Sequence, residues 1–396
     1  TGIILRFNEA ASKGVIGCGA FARAEHLPNA VLSQKIELVA GCSRSEENRK
    51  FVEDNYSPEW TTPDADEVFA ADDIDLVILA VPHDAHVEMV TRAAQAGKHV
   101  MCEKPMTMTM DESYAVVKAI KHAGVKLCVD YNRRFAPSMV YMKERYMAHR
   151  ANPIIGPGQF VQDQARPTLL EEEATMLSIR IQDESTTYRP VHLDYKTGGG
   201  EIIGETCHWL DLACWLLDEE PYRLYASGST RMSHIVTLDF PSGSHACIWF
   251  GVGGTFRYPK ELYELTDHCG FFRNLCFVET EIHGLGEPEQ RNFDLQYDGL
   301  PDAGSEGGLS GYTAKLNERA RVHADSGGEQ WPDLAPDKGH FDLLEAFADA
   351  IITDGPSPIS ERDGARATYL SLRAQDSIRM GAPVPINIED MRFFVN

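Results

Sequence analysis

The chain has 396 residues, of which 43 % are hydrophobic and 24 % charged, and at about 100–200 residues per domain it is long enough for two domains with proper cores. These proportions exclude a disordered, collagen-like or membrane-embedded chain. With 37 Lys+Arg against 60 Asp+Glu the formal net charge is −23, a field that repels phosphate backbones and anionic lipid and excludes nucleic acid and a membrane surface as partners.

In chain order, the opening TGIILRFNEAASK lacks a basic segment followed by a long apolar stretch, and residues 1–12 receive no assignment. From Lys13 to Tyr131 short β-branched runs (VIGCG, IELVAGC, DLVILAV, KHVMCE, VKLCVDY) alternate with helical patterns, which predicts parallel strands joined by crossover helices. Thr109 with Glu112 forms a capping box and Gly124 a C-cap, so 110–123 reads as a helix. Residues 1–134 are thus read as a doubly wound dinucleotide-binding domain. After Arg134 comes a loop-rich stretch to Gly200, then the helical run GETCHWLDLACWLL. The segments HIVTLDF and HACIWFG, joined by Pro241-Ser242-Gly243-Ser244, predict an antiparallel hairpin. Gly299 to Lys338 reads as polar loop, and two helices close the chain. One carries Phe341, Leu344, Phe347 and Ile351 on a face; the other starts at Ser360 with Asp363 at its third position. Residues 135–396 form an α+β domain with a large antiparallel sheet. The nine cysteines are odd in number, never spaced CxxC and mostly set in apolar runs, which favours reduced, buried thiols and a cytoplasmic setting. Cys207-His208 with Cys214 falls short of a four-ligand zinc site, so no metal is expected.

Gly17-Cys18-Gly19-Ala20-Phe21-Ala22 matches G-x-G-x-x-G/A between a strand and a helix. Its glycines allow a tight turn and close approach of a pyrophosphate to a helix N-terminus. The second strand ends Gly41-Cys42-Ser43-Arg44, with no carboxylate before Glu46 to bind a ribose 2′-hydroxyl. Ser43 and Arg44 suit a 2′-phosphate instead, which favours NADP(H); with Arg44 over the adenine or in solvent, NAD(H) binds.

Met101-Cys102-Glu103-Lys104-Pro105, Val81-Pro82-His83 with His86, and Asn132-Arg133-Arg134-Phe135 each follow a strand candidate. Together with GCGAFA, GGGEIIGETCHWLD and KGHFDLLEAFADAI, they make the chain resemble the glucose-fructose oxidoreductase / inositol dehydrogenase / MocA (Gfo/Idh/MocA) family over almost its whole length. The resemblance implies a nicotinamide-dependent oxidoreductase acting on a secondary alcohol of a sugar, sugar derivative or cyclitol, and a homodimer or homotetramer built on the exposed face of the antiparallel sheet. It makes Lys104 the lysine that binds substrate oxygen and cofactor ribose, with Glu103 orienting Lys104 or the nicotinamide ribose and Pro105 a candidate for a cis bond. His208 becomes the proton acceptor, against a plain packing role. The aspartate that the family places four residues before this histidine is replaced by Gly204, so Glu205 is the nearest acid able to orient the imidazole, and Asp211 is assigned to structure. Val81, Pro82, His83 and His86 are placed near the nicotinamide, with a helix-start role open for the histidines. Tyr131, Asn132 and Arg134 divide between cofactor and substrate contacts. A redox-neutral glycosidase of the same fold, working by transient oxidation, elimination and re-reduction, is the alternative activity.

Overall fold

The computed structural model describes residues 11–153, 174–185, 190–297, 300 and 307–387. Six strands, β1 (Ala11–Ile16), β2 (Ile36–Cys42), β3 (Trp60–Thr62), β4 (Leu76–Leu79), β5 (His99–Cys102) and β6 (Leu127–Val129), form a sheet in the order β3-β2-β1-β4-β5-β6. Every pairing in it is parallel. Leu76, Val77, Ile78 and Leu79 are all fully buried, because helices cover both faces and neither needs a polar row. The helix Met110–Ala123 carries the Thr109–Glu112 capping box and ends at a left-handed Gly124.

The second sheet contains β7 (Met176–Gln182), β8 (Arg223–Gly228), β9 (His234–Asp239), β10 (His245–Gly251), β11 (Glu261–Asp267), β12 (Gly270–Leu275), β13 (Glu279–His283) and β14 (Glu289–Asn292). A ribbon of β15 (Leu295–Tyr297) and β16 (Leu334–Pro336) stands apart, and β17 (Val384–Pro385) completes the nine-stranded order β14-β13-β12-β11-β7-β10-β9-β8-β17. Only β7 and β10 pair in parallel within it. The hairpin predicted around Pro241–Ser244 is β9–β10, with Asp239 opposite His245.

Two expectations are corrected. The stretch after Arg134 holds the helix Pro137–Ala151 and the central strand β7, and the presumed loop 299–338 holds the helix Gly308–Asp325 together with β16. Residues 154–173, 186–189, 299 and 301–306, parts of both stretches, lie outside the described residues. The closing helix His340–Ile352 returns to the first sheet: Leu343, Leu344, Phe347 and Ala348 join its core. Cys247 is partly exposed and Cys269 exposed; the other seven cysteines are buried, and all nine are free. No helix among the described residues is long and apolar enough to cross a membrane.

Candidate active site

The turn after β1 explains its glycines. Gly17 has φ +95°, and a Cβ there would stand 2.2 Å from the Ala80 carbonyl oxygen, whereas a Cβ at Gly19 would meet nothing within 4 Å. Gly17 is therefore required by the fold, and the space at Gly19 is available to a ligand at the start of the helix that opens at Ala20. Phe21 remains 45 % exposed at the cleft mouth. Ala22 is buried and begins a π-helical turn, Ala22–His26, that carries His26 inward. At the end of β2, Arg44 is exposed and Ser43 half-buried, within hydrogen-bond distance (3.4 Å) of Asn48.

A cleft of about 420 Å³ lies over the carboxyl ends of β1, β4 and β5. One wall is formed by Phe21, Ala80, Val81 and His83, the floor by Glu103 and Lys104, and the other wall by Asp183, Gly198, Glu201, Gly204, Glu205, Phe256 and Lys260. Lys104 Nζ donates to Glu205 Oε1 at 2.5 Å and to the Gly204 carbonyl at 3.0 Å. Lys260 Nζ lies 2.7 Å from Asp183 Oδ2 and 3.8 Å from Glu205 Oε2. Burial opposes the charge on Lys104, but Glu205 overrides it and raises the ammonium above its ordinary range. Burial would likewise raise Glu205; Lys104 and then Lys260 hold it far below the usual carboxylate range. The pair is accordingly an ammonium–carboxylate pair near neutrality.

The segment that delivers Glu205 is a second π-helical turn, Ile202–Thr206, continuous with the helix Cys207–Leu217. Glu205 was expected to orient His208, and the structure corrects this: it turns to the two lysines, whose charges attract it, and His208 Nδ1 is buried without a hydrogen-bond partner among the described residues. His208 is 5 % exposed and meets the Tyr131 ring edge-on at 5.7 Å. Burial, then the Arg133 and Lys104 cations, push the imidazole well below its ordinary value, so it is neutral. Tyr131 is buried beside it, with its hydroxyl unpartnered among the described residues.

Other predicted residues are held elsewhere. His86 is fully buried between the Pro105 (2.7 Å) and Val81 (3.0 Å) carbonyls, so it braces the two loops rather than facing a cofactor. His83 does face the cleft, with Nδ1 3.0 Å from the Gly198 carbonyl, and burial followed by His86 lowers it to about 4. Pro82 precedes the short 3₁₀ turn His83–Ala85. Asn132 donates to the Lys338 carbonyl. Arg134 is corrected as a substrate contact: its buried guanidinium pairs with Asp211 and Asp363, where the charge is fully compensated by protein. The Lys104–Pro105 peptide is cis.

Sequence reasoning missed Glu201, Asp183 and Lys260 in the cleft and His26 and Asp130 behind it. His26 Nε2 is 2.6 Å from Glu103 Oε1 and 3.9 Å from Asp130, and Glu103 Oε2 accepts the Lys104 backbone N–H at 3.2 Å. Burial raises Glu103 to about 7, and burial together with Glu103 raises Asp130 to about 7. Only the three-glycine run before Glu201 could have signalled any of these.

Residues 12–131 match the description "Oxidoreductase family, NAD-binding Rossmann fold" and residues 173–271 match "GFO/IDH/MocA C-terminal domain". The chain belongs to the GFO/IDH/MocA family of oxidoreductases. It is 25 % identical over 398 residues to the uncharacterized oxidoreductase YrbE of Bacillus subtilis (strain 168), covering 94 % of this chain and 96 % of that one. It is 29 % identical over 261 residues to the inositol 2-dehydrogenase of Rhizobium meliloti (strain 1021), covering 63 % and 71 %. Among solved structures, the aldose-aldose oxidoreductase from Caulobacter crescentus shares the fold with a TM-score of 0.70 at 19 % identity, over 95 % of this chain and all (100 %) of that one.

Proposed function

We propose that this protein is a nicotinamide-dependent dehydrogenase, or reductase in the reverse direction, of a secondary alcohol on a sugar, sugar derivative or cyclitol. The observation that carries it is Lys104: an ammonium at the floor of a polar cleft, at the carboxyl ends of parallel strands, beside a glycine turn open to a pyrophosphate. Gly17, Gly19 and Ala20 would hold the pyrophosphate, Ser43 and Arg44 a 2′-phosphate, and Val81 and Glu103 the nicotinamide end, with NADP(H) favoured over NAD(H). Bound there, the cofactor supplies or accepts the hydride. Lys104 binds the reacting oxygen and stabilises its alkoxide character, and Glu205 keeps Lys104 cationic while it does so. His208, neutral and with its buried Nδ1 unpartnered among the described residues, takes the hydroxyl proton in oxidation and returns it in reduction. Three names among the relatives fit this class: inositol 2-dehydrogenase, D-xylose 1-dehydrogenase (NADP(+)) 2 and 1,5-anhydro-D-fructose reductase. The free cysteines fit a cytoplasmic protein. The exposed Tyr225, Ile235 and Trp249 on the second sheet fit assembly into a dimer or tetramer.

The test is a panel of sugars, cyclitols and aryl glycosides followed at the nicotinamide absorbance. Net cofactor reduction by at least one polyol is expected, and Lys104→Met lowers turnover by about 10²–10⁴-fold with cofactor affinity nearly intact. Aglycone release without net cofactor reduction would transfer the assignment to the glycosidase, and a Lys104→Met enzyme within threefold of wild type would remove Lys104 from the chemistry.

A further inference from the structure

The cleft holds one more acid than it can pair. Of its four acids, Glu103 is bonded to His26, Glu205 to Lys104 and Asp183 to Lys260, and the nearby Arg133 is bound through two nitrogens to Glu261. Glu201 is left over. It lines the same cleft, is 3 % exposed, and its Oε2 is buried with no hydrogen-bond partner among the described residues. A buried carboxyl in this state carries a desolvation penalty that a ligand can remove. A hydroxyl could bond to the carboxyl in its protonated form, but only a cation stabilises it as a carboxylate, beside Asp183 and Glu205 that already take the two lysines.

Glu201 caps the π-helical turn that carries Glu205, the partner of Lys104, four residues on, and Glu201, Glu205 and Lys104 line the same cleft. A ring with its hydroxyl on Lys104 thus brings a substituent toward Glu201. Burial, then the Glu205 carboxylate, push Glu201 up to about 8, so without a cationic ligand it holds a proton much of the time.

Resting on the dehydrogenase reading above, we infer that the substrate carries a free amino group, as an amino sugar or aminocyclitol, and that Glu201 is the residue that selects it by pairing with its ammonium. Neutral polyols lack the charge that ionises Glu201 and are the disfavoured partners.

Matched pairs decide it: D-glucosamine with D-glucose, D-galactosamine with D-galactose, and scyllo-inosamine with scyllo-inositol. Each is titrated calorimetrically into the protein loaded with NAD⁺ or NADP⁺ and assayed at the nicotinamide absorbance. In at least one pair the amine should bind about tenfold tighter or more, the range of a charge-assisted contact. Glu201→Gln should bring that ratio within about threefold of one, and Glu201→Asp should restore part of it. N-acetylation of the preferred amine should abolish the preference in the wild-type protein, which tests the charge even where a variant fails to fold. Ratios near one in every pair, or a ratio that Glu201→Gln leaves unchanged, overturn the role of Glu201 while leaving a polyol dehydrogenase standing. Selective amine binding without cofactor reduction overturns the dehydrogenase and leaves Glu201 in place. Binding of no member of any pair overturns both.

Discussion

At the scale of single residues, the Lys104–Glu205 contact fixes the protonation state from which any reaction starts. Burial alone would drive Lys104 toward the neutral amine, and the Glu205 carboxylate 2.5 Å away reverses that. Glu205→Gln should therefore lower the Lys104 pKa. Because the cation is the form that binds the reacting oxygen, the alkaline limb of the kcat/KM profile should move to lower pH. A rate loss with no movement of that limb would show that Glu205 acts only on substrate. The limb, not the direction, differs from what the sequence suggests: there Glu205 stands nearest to His208, and its loss is expected to move the acidic limb downward by lowering the imidazole pKa. Arg44 provides a second test at this scale. It is exposed at the end of β2 with Ser43 beside it, so Arg44→Ala should weaken NADP binding by about 1.5–3 kcal/mol and leave NAD almost unchanged. Parallel fluorescence titrations of the two cofactors measure the difference. Equal losses would place the guanidinium over the adenine.

Between residue and molecule, the turn from β1 into its helix separates two jobs that the motif pattern assigns to glycine without distinction. Gly17→Ala forces a side chain onto a φ of +95° and into the Ala80 carbonyl, and should destabilise the fold by about 1–3 kcal/mol. Gly19→Ala places its Cβ more than 4 Å from any other described residue beyond its immediate chain neighbours, and should melt like wild type while losing cofactor affinity. Thermal melts with and without dinucleotide read both, and a Gly19→Ala protein that binds as wild type would detach the turn from cofactor binding. The same contrast explains which elements the sequence reveals. β4 and β6 are legible because a strand covered on both faces is a short unbroken apolar run between helix caps, and Met110–Ala123 because its caps are local. The helix Gly308–Asp325 is hidden by Gly308, Ser310, Gly311 and Asn317, by an N-cap Gly307 without a capping side chain, and by a narrow buried face around Tyr312 and Leu316. In β7 the alternation of Leu177, Ile179 and Ile181, all buried, was present to be read, but the polar residues around it masked the strand. For the cleft, Lys104 and Glu205 announce themselves through motifs. Asp183 and Lys260 stand at the edges of β7 and β11, seventy-seven positions apart, and only the sheet pairing of Ile181 with Glu261 brings them together.

In the whole molecule, the two sheets are joined by buried ion pairs that also shape the cleft. The 3₁₀ turn Asn132–Phe135, directly beyond β6, sends Arg133 to Glu261 at the start of β11 through two 2.8 Å hydrogen bonds, and Trp209 Nε1 donates to the same carboxylate at 3.0 Å. Beside it Arg134 and Arg366 share Asp211 and Asp363. Breaking such a pair on one side strands the other charge in the interior, so Glu261→Gln should destabilise the protein at pH 7 by about 3–5 kcal/mol. The pH dependence follows from the same contact. Burial would raise the Glu261 carboxyl, but Arg133 overrides it and brings it from an ordinary 4.5 down to about 2. A carboxyl held low in the folded state contributes stability that is fully present above its unfolded pKa and is lost as pH falls toward the folded one. The wild-type protein should therefore lose stability from this group between pH 4.5 and 2, and the glutamine variant, which has no proton to gain there, should not. The gap between their urea-unfolding free energies should then narrow as the pH is lowered through that window. Asp363, also held at about 2 against burial by Arg134 and Arg366, titrates in both proteins and cancels from the comparison. A gap that stays constant from pH 7 to 3 would mean that the Arg133–Glu261 pair contributes packing around Trp209 and no net charge stabilisation between the sheets.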